Sequence, residues 1–348
     1  MFNKKLAKIA GAFCSIFIVT ACLVTPANSV QDLTIEPDAD AQPLDSPDAT
    51  STPAPIGQPD NPIVMAAMLS AENSDSMLAF DTVTGDIGQK SNFAIIAEFY
   101  TDYPTLLADM ENGLIHYAWL PPAAYIYAHK MGFANVIFVT NHYGVDLYGI
   151  QFLANRNSGF VSYYDDSLGR NTADVKNALS QFQNKHPCWT SKTSLSGYAV
   201  PLGILNQNQL SVSTPAYLKD SVGVIRALYV QGICDFGATY SIIGDPRTSS
   251  VVLTDLPDAL QQVPVIWKSD AVIPTLNLSS LPDVPTKIDD AVTSAFLDFV
   301  KQDNGRAQLS AALDYDIQAL KMVNHDFYLP FQEILDSSGI DLQSLLSE

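Results

Sequence analysis

The chain has 348 residues, of which 47% are hydrophobic and 16% charged, and its formal net charge is −19. That length and apolar content suit two domains of ordinary size with a buried core, and they argue against a largely disordered chain. The acidic balance argues against nucleic-acid binding, which needs basic patches, and against a polybasic attachment to anionic lipid.

The N-terminal stretch "MFNKKLAKIAGAFCSIFIVTAC" carries Lys4, Lys5 and Lys8 ahead of an apolar run of about eleven residues, the pattern of an export signal over 1–21. The run is too short to predict a spanning helix. Val19-Thr20-Ala21-Cys22 resembles a bacterial lipobox, which would make Cys22 a lipidated first residue and tie the chain to the membrane. Cleavage after Ala27-Asn28-Ser29 would instead leave a soluble secreted or periplasmic protein. Residues 22–61 are rich in Pro, Asp, Ala, Ser and Thr and predict a disordered acidic tether, because they offer little apolar surface to bury.

From residue 62 onward, strand-like and helix-like segments alternate, which predicts an α/β fold. "IVMAAML" (63–69) reads as a buried strand, and the helix expected near 74–88 is weakened by Thr82, Thr84, Gly85 and Gly88. "FAIIAEFY" (93–100) is a second strand, followed by a helix over 103–113 with Thr101 or Asp102 as its cap and Gly113 as its stop. "IHYAWL" (115–120) precedes a helix that opens on Pro121-Pro122 and ends at Gly132; "ANVIFVT" (134–140) closes this series.

A second series opens near Tyr148 with "YGIQFLANRNSG", then a helix around 172–184 and the short strand "CWT" (188–190). Helices from Tyr198 and over 220–232 follow, then the strand "ICDFGATY" (233–240), a helix near 254–261 and the strand "VPVIWKS" (263–269). The C-terminal third reads as helical: 287–302 places Ile288, Val292, Phe296 and Val300 on one face, with further helices over 305–315 and 331–339.

The turn "TSKTSLSG" (190–197) sets Ser191, Thr193, Ser194 and Ser196 at a helix start. Such hydroxyls either cap the free N–H groups or join them in holding an anion. Cys188 and Cys234 form either a disulfide, as an exported chain favours, or two buried thiols. The five histidines show no metal-ligand spacing, so no metal and no cofactor are expected.

Several segments together resemble one family, the phosphate/phosphite/phosphonate-type solute-binding proteins of ABC transporters. "YTDYPTLLADMENGLIHYAWLPPAAYIYAHKMG" is similar to the family's first-lobe signature, and "YGIQFLANRNS" to its hinge strand. "TSLSGYAVP" resembles its Ser-Thr-Ser-Gly turn, "QGICDFGATY" its Gly-x-x-Asp element and "VIWKSDAVIP" its return strand. The resemblance implies a two-lobed periplasmic-binding-protein fold of type II with the ligand in the cleft between lobes. Lobe 1 would be formed by 62–148 and 266–348, and lobe 2 by 149–265.

The resemblance also implies a non-enzymatic, extracytoplasmic receptor that delivers a small oxyanion to an ABC permease and acts as a monomer. Tyr103, Tyr148, Ser194, Ser196 and Gly197 would hold the ligand, with Glu72, Leu195 and Asp235 as further cleft residues and Trp119 and Trp267 as core or wall. Leu195 stands where the family has threonine, and Val222 near the place of a histidine. Ile242 and Leu276 stand where aminoalkylphosphonate-binding members carry acids, which makes 2-aminoethylphosphonate an unexpected ligand. These departures motivate an alternative, a ligand-sensing or scaffold protein on the same fold without a transport role. A secreted hydrolase is disfavoured, because Ser196 lies in Ser-Leu-Ser-Gly with no evident histidine partner.

Overall fold

The computed structural model describes residues 54–347 apart from Ala71. The expected export signal, the lipobox with Cys22 and the tether up to residue 53 lie outside the described residues. Residues 54–61, expected to be disordered tether, instead form a turn on the folded body. Gly57 O accepts from Ala94 N (2.9 Å), the Asn61 side chain donates to Ala54 O (2.8 Å), and Ile56 packs against the core. The prolines that predict an extended tether here hold a tight turn, closed by Gly57 at a φ of +85°.

The first run of elements is β1 (Ile63–Met68), α1 (Ser74–Ser91), β2 (Ile95–Tyr100), α2 (Tyr103–Glu111), β3 (Tyr117–Leu120), α3 (Pro122–Met131) and β4 (Asn135–Asn141). α1 is a full helix despite its glycines. Asn73 accepts from Ser76 N at its start, Asn92 closes it in the left-handed region, and Gly88 lets it approach Phe93 O, which a Cβ would meet at 3.0 Å. The second run is β5 (Leu147–Ala154), β6 (Tyr164–Asp165), β7 (Arg170–Asn171), α4 (Val175–Leu179) and β8 (Pro187–Trp189). A π-helical turn (Leu195–Ala199) then leads straight into α5 (Val200–Gln207). β9 (Ala216–Tyr217), α6 (Ser221–Val230), β10 (Phe236–Ser241), α7 (Ser250–Asp255), α8 (Ala259–Gln262), β11 (Val265–Lys268) and β12 (Ile273–Pro274) follow. The chain ends in β13 (Asn277–Ser280), α9 (Thr286–Val300), α10 (Asp303–Leu313), β14 (Ala319–Met322) and α11 (Leu329–Ser338).

Two sheets result. The first has the order β14-β4-β13-β3-β1-β2, with β2, β1 and β3 parallel and β13 antiparallel to both β3 and β4. β13 and β14 interrupt the C-terminal third that reads as all helix. "NLSS" hides a fully buried strand, because its polar groups are satisfied internally: Asn277 donates to Leu120 O (2.7 Å) and Ser279 to Asn277 (2.7 Å). The second sheet has the order β11-β5-β10-β8-β9, with β12 paired to the start of β5. Cys188 on β8 is disulfide-bonded to Cys234 ahead of β10, with a Cα–Cα distance of 5.6 Å.

The chain passes between the sheets at 142–146 and at 269–276, and crosses again after β14. α11 packs on α5, so closely that a Cβ on Gly203 would lie 2.1 Å from Ile334 O. The Asn206 side chain donates to Ser337 O (3.0 Å) and Ser338 O (3.2 Å) across the same contact. α11 thus contacts α5 as well as α3, where Lys130 pairs with Asp336 at 2.5 Å. β11 stays in the second sheet to Lys268, whereas the expected boundary placed the chain from 266 onward with the first sheet. One apolar core runs through both parts, and a smaller one joins the face of the second sheet to α6, α7 and α8.

Candidate ligand-binding cleft

Open α/β sheets bind ligands beyond the carboxyl ends of their parallel strands. β1 ends at Met68 and β3 at Leu120 on the same edge, and the chain then turns into helices whose first residues face that edge. Asp102 caps α2 by accepting from Thr105 N (2.8 Å), which sets Tyr103 and Pro104 in the first turn. Pro121 and Pro122 open α3, where a missing N–H costs nothing. From the second sheet, β8 delivers the serine-rich turn.

These ends enclose a cleft of about 310 Å³. The first sheet and its helix starts contribute Ala67, Met68, Tyr103, Trp119, Pro121 and Pro122. The crossings contribute Tyr148, Pro274, Thr275 and Leu276, the serine-rich turn Leu195, and the end of α10 Leu313 and Tyr315. No lysine, arginine, histidine, aspartate or glutamate is among these lining residues.

The polar edge of the cleft is a set of phenols. Burial pushes the Tyr103 hydroxyl up to about 12. The Tyr148 hydroxyl is raised further, by burial first and then by the nearby Tyr315. Tyr315 is also pushed up to about 12, by burial, against opposing hydrogen bonds from the Leu276 amide and the Thr140 hydroxyl. All three are therefore neutral donors across the physiological range. Tyr315 is aimed by Asp314, which ends α10 in the left-handed region (φ 48°), and by stacking on His142 with ring centroids 3.9 Å apart and planes 14° apart. His142 is fixed in turn by Nδ1–H donating to Asp316 O at 2.8 Å. Thr275 is buried and spends its hydroxyl on Thr140 O. The Trp119 indole N–H is buried without a partner among the described residues.

Three neutral hydroxyls and apolar walls suit an anion held by hydrogen bonds alone, and comparison with known proteins decides the family. The sequence matches the family described as ABC transporter, phosphonate, periplasmic substrate-binding protein over residues 66–327. The chain belongs to this family.

Solved structures share the two-lobed periplasmic-binding fold at low sequence identity. XAC2383 from Xanthomonas citri, bound to ATP, is 13% identical with a TM-score of 0.60, over 80% of this chain and 96% of that one. PhnD1 from Prochlorococcus marinus, in complex with methylphosphonate, is 13% identical with a TM-score of 0.51, over 78% and 96%. A binding protein component of an ABC phosphonate transporter from Pseudomonas aeruginosa is 17% identical with a TM-score of 0.50, over 80% and 87%. No curated protein matches the sequence.

Of the phosphonate-family positions expected from sequence, Tyr103, Tyr148 and Leu195 line the cleft. Ser194, Ser196 and Gly197 stand beside Leu195 but are not among the lining residues. Ser194 Oγ accepts from Gly197 N at 3.0 Å, so its acceptor side acts as a helix cap. Ser191 and Thr193 pair their hydroxyls at 3.0 Å. Gly197 is required by packing, since a Cβ there would lie 2.1 Å from Thr190 Oγ1.

Two expected cleft residues lie elsewhere. Glu72 is exposed and outside the lining set, because the chain turns away after Met68 into the approach to α1. Asp235 precedes β10, at the end of the second sheet opposite the cleft, where it accepts from His186 N (2.8 Å) and donates its own N–H to His186 O. Sequence reasoning did not single out Tyr315, Leu313, Thr275 or Met68. Tyr315 lies just past a helix end with no local motif, and only the tertiary fold brings it to Tyr148. Among the described residues no group of three or more His, Cys, Asp or Glu could hold a metal ion, and no helix is long and apolar enough to cross a membrane.

Proposed function

We propose that this chain is the extracytoplasmic receptor of an ABC importer for a small tetrahedral oxyanion of the phosphate, phosphite or phosphonate kind. It has no catalytic role and hands its ligand to a permease as a monomer. The observation that carries this is the presence of three tyrosines, Tyr103, Tyr148 and Tyr315, on the lining of a cleft without a charged side chain. Neutral donors hold an oxyanion without a counter-charge, and exclusion of water strengthens each bond. The part built on the first sheet acts as one lobe and the part built on the second as the other, with closure between them. Cys22 is the lipid anchor, and residues 22–53 the tether that keeps the receptor near its permease.

Calorimetry with phosphate, phosphite and methylphosphonate tests the ligand class. Binding is expected, and Tyr148→Phe is expected to weaken it about 10- to 100-fold, as loss of one hydrogen bond to a charged group does. No heat with any of the three at millimolar concentration would overturn the assignment. A second function, ligand sensing or scaffolding without transport, is favoured by one observation: the serine-rich turn spends several of its hydroxyls on itself. Growth on a phosphonate as sole phosphorus source, with the gene deleted, separates transport from sensing. Release of the Cys22→Ala chain from membranes into the soluble fraction tests the anchor.

A further inference from the structure

Away from the cleft, α3 and the chain leaving β14 meet through two imidazole rings. His129, in the last turn of α3, stacks on His325 with ring centroids 3.7 Å apart and planes 22° apart. His325 opens the 3₁₀ turn His325–Tyr328, through which the chain passes from β14 to α11. Each ring is fixed by its own bond. His129 Nδ1–H donates to Ala134 O at 2.9 Å. The Tyr125 hydroxyl, which burial keeps protonated, donates to His325 Nδ1 at 3.0 Å, so the neutral ring holds its proton on Nε2. Both histidines are half-buried.

This arrangement suits neutral rings and opposes charged ones. Protonation of His325 puts an N–H where the Tyr125 hydroxyl already points its own hydrogen, and protonation of both rings stacks two like charges face to face. Lys130, next to His129 on α3, also opposes a proton on His325 and is itself paired with Asp336 of α11. Asp326 on the same turn favours it, as does Gln332 of α11, whose Oε1 is buried without a partner among the described residues. Tyr328 packs on Tyr125, Glu333 of α11 is exposed, and Lys321 of β14 is paired with Asp146. Burial, then His129, prevails, and the folded state holds His325 below the usual 6.5. We infer that His129 and His325 form a pH-operated latch, which holds the turn before α11 on α3 while both rings are neutral and releases it when they take up protons in mild acid. The same stretch is tied to α3 by Lys130–Asp336 and by Gln343 on the Tyr127 hydroxyl, but histidine is the side chain whose charge changes between pH 5 and 8. Because α11 is also bonded to α5 through Asn206, opening the latch loosens one link between the two parts and leaves each core intact.

Hydrogen–deuterium exchange of the purified chain at pH 7.5 and pH 5.0, corrected for intrinsic exchange rates, tests the latch without any ligand. The reporters are the Val323 amide, bonded to Ile137 O, and the Phe327 amide, bonded to Asn324 O. Their protection is expected to fall about tenfold at pH 5.0, as a one-unit difference in proton affinity between latched and released rings would give, while α1 and α9 keep theirs. His325→Gln keeps an acceptor for the Tyr125 hydroxyl but cannot titrate, and it should abolish the response while matching the parent at pH 7.5. His129→Gln keeps a donor for Ala134 O and should reduce the response; it decides the matter if the first variant does not fold. A parent chain that keeps its protection at pH 5.0, a loss shared equally by α1 and α9, or a folded variant that responds as fully as the parent would each overturn the latch.

Discussion

Gly203 gives the most direct test of how the two sheets are tied. It lies inside α5, where alanine is ordinarily better than glycine by about 1 kcal/mol. Packing opposes this. A Cβ at 203 would sit 2.1 Å from Ile334 O, 2.7 Å from Ile334 Cγ2 and 3.0 Å from Ile334 C. The obstacle is the backbone of α11, which cannot swing aside like a side-chain tip, so α5 and α11 must separate. Separation strains the packing of Phe331, Ile334 and Leu335, at about 1–3 kcal/mol for overpacking. It also stretches two bonds from Asn206 to the α11 carbonyls, each worth about 1 kcal/mol. The packing loss outweighs the propensity gain, and Gly203→Ala is expected to destabilise by about 2–4 kcal/mol in urea denaturation. Gly85 is the control: it is exposed in α1 with nothing within 4 Å of its Cβ position, so Gly85→Ala should stabilise by about 1 kcal/mol. A Gly203→Ala chain as stable as the parent would refute the close α5–α11 contact.

Reduction of the Cys188–Cys234 bridge, which closes a loop of sequence separation 46, is expected to cost up to about 4 kcal/mol, read as a shift in urea midpoint with and without reductant. His116 Nδ1 accepts from Val64 N at 2.9 Å, and burial lowers its pKa from 6.5. The folded state thus favours the neutral ring, and stability should fall as pH drops below 6.5, levelling off below the folded pKa. His116→Asn, which keeps an acceptor but cannot titrate, should reduce that slope in denaturation series between pH 8 and 5. For Asp245, burial pushes the carboxyl up, but Arg247 beside it (2.6 Å) prevails and the net shift is downward. Arg247 is itself 3% exposed, so Arg247→Met should cost about 3 kcal/mol by leaving Asp245 and its partner Gln151 without a cation. The carboxylate's contribution, present above pH 3.8 and lost as pH falls through the folded pKa, should shrink in that variant, as an acid-unfolding titration can read.

The alternation of apolar strands and capped helices was legible wherever a segment's own pattern fixes its state. β1, α2 with its Asp102 cap and α3 with its two prolines fall where the pattern puts them. β13 was not legible, because Asn277, Ser279 and Ser280 are polar and show no strand pattern until their partners, Leu120 O among them, are in place. α1 was half legible: its glycines weaken the pattern, while Gly88 serves a close approach visible only in three dimensions. Among the residues lining the cleft, Tyr103 and Tyr148 sit in motifs visible in the sequence. Tyr315 belongs to none, and the role of the serine-rich turn depended on which of its side chains faces inward.

How the cleft couples to closure follows from where its parts are mounted. Tyr103 stands on a helix of the first sheet, and Leu195 on the turn leaving the second. Tyr148 belongs to the strand that carries the chain across, and Tyr315 leans on His142 in the same crossing. In the proposed receptor, a ligand touching all four contacts the two parts and the crossing between them at once. It therefore favours the one spacing at which its contacts are simultaneously good, and only that difference in affinity can drive closure. The third crossing adds a constraint. α11, reached through the residues between β14 and α11, is seated on α5 through Gly203 but is also paired to α3 by Lys130–Asp336, and Gln343 past its end donates to the Tyr127 hydroxyl of α3, so it bridges the two parts. Those residues hold His325, stacked on His129 of α3 at 3.7 Å, with Tyr125 and His325 joined by a 3.0 Å hydrogen bond. Closure in the proposed receptor must therefore work against one of the two seats of α11, on α5 or on α3.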